Sequence, residues 1–86
     1  AGVVVELGAN VKRFSEGDCV FFTKKKHPGR AAAQWVAVPE DLCGRKPQRV
    51  AFKDMSCFAS SGCAAIEGID WMEFSPETRK TLLILG

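Results

Sequence analysis

The residue types that most often do chemistry are scarce in this chain. His27 is its single histidine, tyrosine is absent, and no Ser/His/Asp or Cys/His pair stands at a spacing recognisable from nucleophilic catalysis. His27 follows three lysines at residues 24–26, and the plainest interpretation is a solvated, basic loop tip. Attraction of the phosphates of an adenine nucleotide is the alternative, but adjacent lysines in a loop point in different directions and define no geometry. We therefore predict no catalytic residue in the chain.

The remaining candidates for functional residues are the cysteines, the tryptophans and one glycine. The cysteines are separated by 24, 14 and 6 positions, with no C-x-x-C pair, and we interpret them as reduced thiols of a cytosolic or organellar protein: Cys19, Cys43, Cys57 and Cys63. Trp35 and Trp71 are large enough to line an apolar substrate cleft, although such aromatics more often belong to a core or an interface. Gly86 follows an apolar pentad, as in a phosphate-binding loop, but many strands end in glycine.

Length and charge limit the function classes. With 86 residues the chain has room for one small domain, and its formal charge of +2 is too small to indicate a nucleic-acid binder. No apolar run approaches the ~20 residues that a membrane-spanning helix needs. Because the chain opens at Ala1, directly on an apolar strand, we expect a fragment of a longer protein.

The elements that must position these residues begin with strands. The β-branched run at 3–7, the apolar run at 19–22 and the alternating run at 33–38 predict three strands. Between the first two, Val11 and Phe14 pack a short connector, and residues 15–18 predict a turn in which Gly17 adopts positive φ and the Asp18 side chain caps backbone N–H groups. The polar stretch 39–47, with two prolines, predicts a connector.

Helical spacing follows. Apolar residues between Phe52 and Ile69 recur at three- and four-residue steps, which predicts one bent or two short helices, broken near Gly62. Residues 71–80 predict a loop. The unbroken apolar run at 81–85 is typical of a strand buried on both faces of a parallel sheet, and no crossover and partner strand follow it within the 86 residues.

The order of these motifs resembles the medium-chain dehydrogenase/reductases. Residues 1–20, AGVVVELGANVKRFSEGDCV, are similar to that family's A-G-V-V-x-x-V-G-x-x-V-x-x-F-x-x-G-D-x-V. Residues 32–39, AAQWVAVP, are similar to its G-x-A-E-Y-V-V-V-P, and residues 46–52 to its K-P-x-x-L-S-F. Residues 62–65 stand where the family has G-L-T-A, and residues 81–86 resemble T-V-L-I-x-G. Within the family, the likeness is to the zinc-independent quinone oxidoreductase and enoyl reductase branch.

The resemblance implies a mainly β fold with C-terminal helices, a partial GroES-like β-barrel leading into the first strand of a Rossmann-type domain. Residues 1–50 would be the latter part of the GroES-like domain, 51–80 connecting helices and a loop, and 81–86 the start of the dinucleotide-binding domain. It implies an NADPH-dependent oxidoreductase acting on a quinone, enone or enoyl-type small molecule, with this chain alone catalytically incomplete. No nucleic-acid or membrane partner is expected, and a homo-oligomer stays open.

The same resemblance singles out two cofactor neighbours, Gly86 in the phosphate loop and Ala64, which stands where the family often has a threonine near the nicotinamide. Ala64 lacks the hydroxyl, so the site is either differently built or degraded, and a small residue on a packed helix is the simpler interpretation. Cys57 stands at the spacing of a zinc ligand in zinc-dependent alcohol dehydrogenases, but a buried, inert cysteine is the default and no metal is predicted. Ala51 stands where the family often has a helix-capping serine.

Two alternatives remain from the sequence. One is a short GroES-like binding module without enzymatic activity, which a stable, monodisperse 9.4 kDa fold would favour. The other is a fragment of a zinc-dependent alcohol dehydrogenase.

Overall fold

The fold is a small antiparallel sheet with one long helix packed against it. The structure is a computed structural model that describes residues 1–23, 32–72, 75, 77, 81 and 83–85. Along the chain come β1 (Gly2–Val3), β2 (Cys19–Phe22), a short 3-10 helix (Glu40–Leu42), β3 (Cys43–Arg45) and α1 (Phe52–Trp71). The strand order is β1-β2-β3, with both neighbouring pairs antiparallel.

The turn before β2 confirms the prediction from the sequence. Gly17 has a φ of 89°, and the Ser15 amide donates to Asp18 Oδ2 over 2.9 Å. The backbone ladder continues one residue beyond β1, since the Val4 amide donates to the Asp18 carbonyl and the Gly17 amide donates to the Val4 carbonyl. Phe14, in the preceding connector, is buried as expected. A positive φ costs glycine little, so this reversal sets the register of β1 on β2.

The second predicted strand is confirmed at Cys19–Phe22, whereas the first is shorter than predicted. Only Gly2–Val3 belong to β1, and Val5 beyond it is 55% exposed. Apolar, β-branched residues favour extended backbone, but a strand also needs a neighbouring chain to pair with, and the ladder to β2 ends after Val4.

The prediction of a third strand at residues 33–38 is wrong. No strand is present there, and Trp35 is 67% exposed. The third strand is instead Cys43–Arg45, inside the predicted connector, with Phe21 opposite Gly44. The ladder extends to Lys46, whose amide donates to the Cys19 carbonyl over 2.8 Å. The prolines at 39 and 47 lie outside β3, so they bracket the strand without removing a ladder donor.

The prediction of a helix broken near Gly62 is wrong as well. A single α1 runs without interruption from Phe52 to Trp71, so the predicted connecting helices are one helix, and Trp71 belongs to it and not to the following loop. Gly62 is buried, and the ring of Phe58 lies over it, so close that a Cβ at 62 would be 2.7 Å from the ring. This packing on the same helix offsets the cost of about 1 kcal/mol that glycine brings to a helix interior.

The core is small. Among the described residues the buried apolar side chains are Phe14, Met55 and Ala59. Met55 and Ala59 lie on α1, which packs against β2. No strand is present at residues 81 and 83–85, and Leu83, Ile84 and Leu85 are 77%, 79% and 85% exposed, so the strand buried on both faces that their composition predicts is not observed there. Such a strand needs sheet neighbours on both sides, and the described residues provide none.

Within the described part of the chain, no helix combines the length and the apolar character needed to cross a membrane.

Candidate functional site

Of the two predicted cofactor neighbours, the structure describes Ala64 and not Gly86. Gly86 lies outside the described residues, as does His27. Ala64 lies on α1, where it is exposed and lines a shallow hollow of about 250 Å³ together with Glu67, Gly68 and Trp71. Ala64 is thus a small residue on the exposed side of a helix whose other side packs on the sheet, and its role at a cofactor stays a prediction.

This hollow follows from the helical repeat. Ala64, Gly68 and Trp71 succeed one another at four- and three-residue steps, so they share the side of α1 opposite Met55. Small side chains at 64 and 68 leave space, since nothing lies within 4 Å of a Cβ built on Gly68, and the indole of Trp71 forms one wall. The hollow is lined by apolar surface and by the Glu67 side chain, so it can contact a ligand.

The cysteines are all free thiols. Cys57 and Cys63 are exposed on α1, so the expectation that Cys57 is buried is wrong; its position on the helix points it away from the stripe that packs on the sheet. Burial raises the pKa of the half-buried Cys43 thiol, which disfavours the reactive thiolate at neutral pH. No group of three His, Cys, Asp or Glu side chains able to hold a metal ion occurs among the residues that the structure describes.

Both tryptophans are exposed, Trp35 by 67% and Trp71 by 89%. Neither is a core residue among the described part of the chain, and Trp71 lines the hollow beside Ala64.

A charged cluster that sequence reasoning missed surrounds Phe14. We call it the arginine cluster: Arg13, Phe14, Asp18, Glu40 and Arg45. The guanidinium carbons of Arg13 and Arg45 lie 5.3 and 5.2 Å from the centre of the Phe14 ring, within the range of a cation–π contact. The cluster thus joins a buried aromatic ring to two cations from distant parts of the chain.

Each arginine of the cluster is held by hydrogen bonds. Arg45 donates through Nη1 to Asp18 Oδ2 over 2.9 Å and through Nη2 to the Arg13 carbonyl over 2.6 Å. Arg13 donates through Nη1 to the Glu40 carbonyl over 2.9 Å. Glu40 Oε2 in turn accepts from the backbone amides of Lys12 and Arg13, over 3.1 and 2.9 Å.

These bonds shift the acidity of both carboxyl groups. The pKa of Asp18 is lowered chiefly by the hydrogen bond from the Ser15 amide; burial opposes this lowering, and the charge and hydrogen bond of Arg45 add to it. The pKa of Glu40 is lowered chiefly by the Arg13 and Lys12 amides. Ionised carboxylates balance the two guanidinium charges, so the cluster is a structural clamp between the turn, the 3-10 helix and β3.

A second clamp positions the start of α1. Lys46 Nζ donates to the carbonyls of Pro47 and Val50, over 2.9 and 2.5 Å, and lies 4.9 Å from the centre of the Phe52 ring. A lysine ammonium has three donors, and here two of them close the turn that leads into the helix. The Lys-Pro pair noted in the sequence therefore has a structural use at this turn.

Comparison with known proteins gives two informative matches. The chain is 34% identical over 92 aligned positions, covering all of its length, to a 2-methylene-furan-3-one reductase of Solanum lycopersicum. It is 30% identical over 69 positions, 80% of its length, to a chloroplast envelope quinone oxidoreductase homolog of Arabidopsis thaliana. The chain is therefore similar to proteins named as quinone and enone reductases.

These matches take up 23% and 21% of the two relatives, so the chain spans less than a quarter of their length. No protein-family model matches the chain. No solved structure matches it either.

Proposed function

We propose that this chain is part of an oxidoreductase of the medium-chain dehydrogenase/reductase family that reduces a small quinone or enone with NADPH and without zinc. The observation that carries the proposal is the match along the whole chain to a 2-methylene-furan-3-one reductase. The ordered motifs of residues 1–20, 32–39, 46–52, 62–65 and 81–86 support the same family.

The names of the two relatives point to one type of reaction. A quinone and a 2-methylene-furan-3-one both carry a carbon–carbon double bond conjugated to a ketone. A nicotinamide cofactor, which Gly86 and Ala64 would help to hold in a longer protein, would supply the hydride that, with a proton, converts the conjugated double bond of the enone to the saturated ketone. In such enzymes the protein contributes binding, orientation and electrostatics, and the cofactor contributes the redox chemistry.

On their own, the described residues could provide only a small part of the binding surface that such an enzyme needs. Ala64 and Trp71 offer apolar contact on an open surface, but this surface has no group suited to a pyrophosphate. We therefore propose that the 86 residues alone are catalytically incomplete, with Gly86 and Ala64 contributing to a cofactor site only within a longer protein. In this assignment residues 1–50 belong to a GroES-like domain, 51–80 connect it, and 81–86 begin the dinucleotide-binding domain.

The proposed function also includes a cellular compartment and a binding partner. Four free thiols support a reducing compartment, either cytoplasmic or organellar, and the chloroplast envelope relative supports an organelle. The partner is a small-molecule substrate, with no nucleic acid and no membrane, and a homo-oligomer is compatible with it.

The experiment uses the longest reading frame that contains the chain. We expect the purified protein to oxidise NADPH in the presence of a 2-methylene-furan-3-one or a simple quinone, with weaker oxidation of NADH, and without gaining activity when zinc is added. The 86-residue chain, assayed in parallel, should show no turnover. Absence of reduction with every quinone and enone tried would contradict the proposal.

Ala64 provides a test within that assay. Ala64→Thr adds the hydroxyl that the family often has, and we expect it to lower the KM for NADPH if the residue neighbours the nicotinamide. Ala64→Val, of similar size but without the hydroxyl, is the matched control and should not lower it.

A further inference from the structure

One stripe of α1 changes from buried to exposed along its length. Met55, Ala59 and Gly62 are buried, and the same four- and three-residue steps continue to Ile66 and Ile69. These two isoleucines are 60% and 47% exposed. The side of the helix that packs on the sheet is therefore apolar over more turns than the sheet covers.

The reason is a mismatch of lengths. A helix of 20 residues such as α1 is about 30 Å long. The strand it packs against, β2, has four residues and reaches only about 13 Å. Beside the buried stripe, the ring of Phe58 lies over Gly62 and is itself 57% exposed. We call the apolar surface left open by this mismatch the uncovered stripe: Ile66 and Ile69.

The charges around the uncovered stripe restrict what can cover it. Asp70 lies at its edge, the last turn of α1 contains no basic residue, and the carboxyl end of a helix carries partial negative charge. A second copy that packed through the same part of α1 would add acidic groups here without adding basic ones, because residues 54–72 contain no lysine or arginine. A complementary surface is therefore apolar with a lysine or arginine facing Asp70.

Resting on the proposed function, we propose that the uncovered stripe is the contact surface for another part of the same polypeptide, one that lies outside these 86 residues and presents an apolar face with a basic rim. The two relatives support an occupant within the same polypeptide, because the matched region takes up only 23% and 21% of their length.

The test compares the same substitutions in two proteins, the 86-residue chain and the longest reading frame that contains it. Ile66→Ser with Ile69→Ser should leave the Tm of the short chain unchanged, because both side chains are already exposed. In the longer protein the pair should lower the Tm by at least about 5 °C, since apolar burial would be lost. Cys57→Ser, at an exposed residue on the side of α1 away from the stripe, is the control and should change neither Tm.

A charge substitution tests the basic rim separately. Asp70→Lys should lower the Tm of the longer protein, whereas Glu16→Lys, an equal change of charge at an exposed turn residue away from α1, should not. Equal effects of the two substitutions would refute the charge complementarity.

Other outcomes overturn the inference outright. If the isoleucine pair shifts the Tm equally in both proteins, or in neither, no further polypeptide covers the stripe. If the short chain forms a dimer that the pair dissociates, while the longer protein is unaffected, a second copy is the occupant. Absence of a longer reading frame also refutes the inference. Reductase activity of the unsubstituted longer protein is measured independently, so loss of the proposed function and loss of this interface are told apart.

Discussion

The ring of Phe21 lies over Gly44, its partner across β2 and β3. A Cβ built on Gly44 would lie 2.7 Å from Phe21 Cζ and 2.8 Å from Cε1, closer than atoms in contact can approach. Glycine at position 44 therefore leaves the space that the end of the Phe21 ring occupies against the neighbouring strand.

Gly44→Ala should destabilise the fold, because the added methyl group must displace the Phe21 ring. We expect the free energy of unfolding to fall by about 1–3 kcal/mol, the range for overpacked sites. Urea denaturation followed by far-ultraviolet circular dichroism measures it. Gly68→Ala is the control in open space and should raise stability by up to about 1 kcal/mol through helix propensity. A Gly44→Ala protein as stable as the original would show that the ring does not occupy this place.

Arg45→Ala should weaken the arginine cluster. Arg45 is well exposed, so its ion pair with Asp18 contributes little, and with the loss of the Phe14 contact we expect about 1 kcal/mol of destabilisation. Arg49→Ala removes an equal charge from an exposed residue and should change stability by less than about 0.5 kcal/mol. Identical denaturation curves for the two variants would contradict the clamp.

Acid should loosen the same cluster. The folded-state pKa values of Asp18 and Glu40 are lowered below the ordinary 3.8 and 4.5, so the unfolded chain binds protons more readily than the folded one. The stabilisation from these two carboxylates is complete above their unfolded pKa values and is lost as the pH falls through the lowered folded values. Urea titrations from pH 6 downward should show it, and Asp18→Asn with Glu40→Gln should flatten the dependence. An unchanged slope in that double variant would argue against the assignment.

Ala51→Ser should stabilise α1. Ala51 is the N-cap, with φ −66° and ψ 152°, and it has no side-chain acceptor for the free amides of the first helical turn. A serine hydroxyl there should add about 1 kcal/mol to the free energy of unfolding. Ala51→Val, which adds bulk without an acceptor, should bring no gain. Equal stability of the serine and valine variants would mean that the first turn is satisfied in another way.

Local signals in the sequence predicted local structure well. The turn around Gly17 needs only its own residues, and its positive φ and Asp18 bond are as predicted. The helical spacing from Phe52 onward likewise predicted a helix, but propensity alone placed a break at Gly62, where the helix in fact continues beneath the Phe58 ring.

The hydrophobic pattern of the sequence did not predict which distant segments pair as strands. Residues 33–38 have the better alternation, yet β2 pairs with Cys43–Arg45, because Gly44 accommodates Phe21 and the Lys46 amide continues the ladder. The arginine cluster was missed for the same reason, since Arg45 and Glu40 lie 27 or more positions from Asp18 or Lys12. Of the two predicted cofactor neighbours, Ala64 lies beside a surface hollow, and its role stays a prediction.

Because both tryptophans are exposed, tryptophan fluorescence is a poor probe of the unfolding of this protein. Trp35 and Trp71 already face water in the folded state, and the chain has no tyrosine. Their fluorescence emission should therefore barely shift when the chain unfolds. The same exposure makes Trp71 a sensitive reporter of ligand binding, because any molecule bound in the hollow beside Ala64 would shield the indole from solvent and from a dissolved quencher.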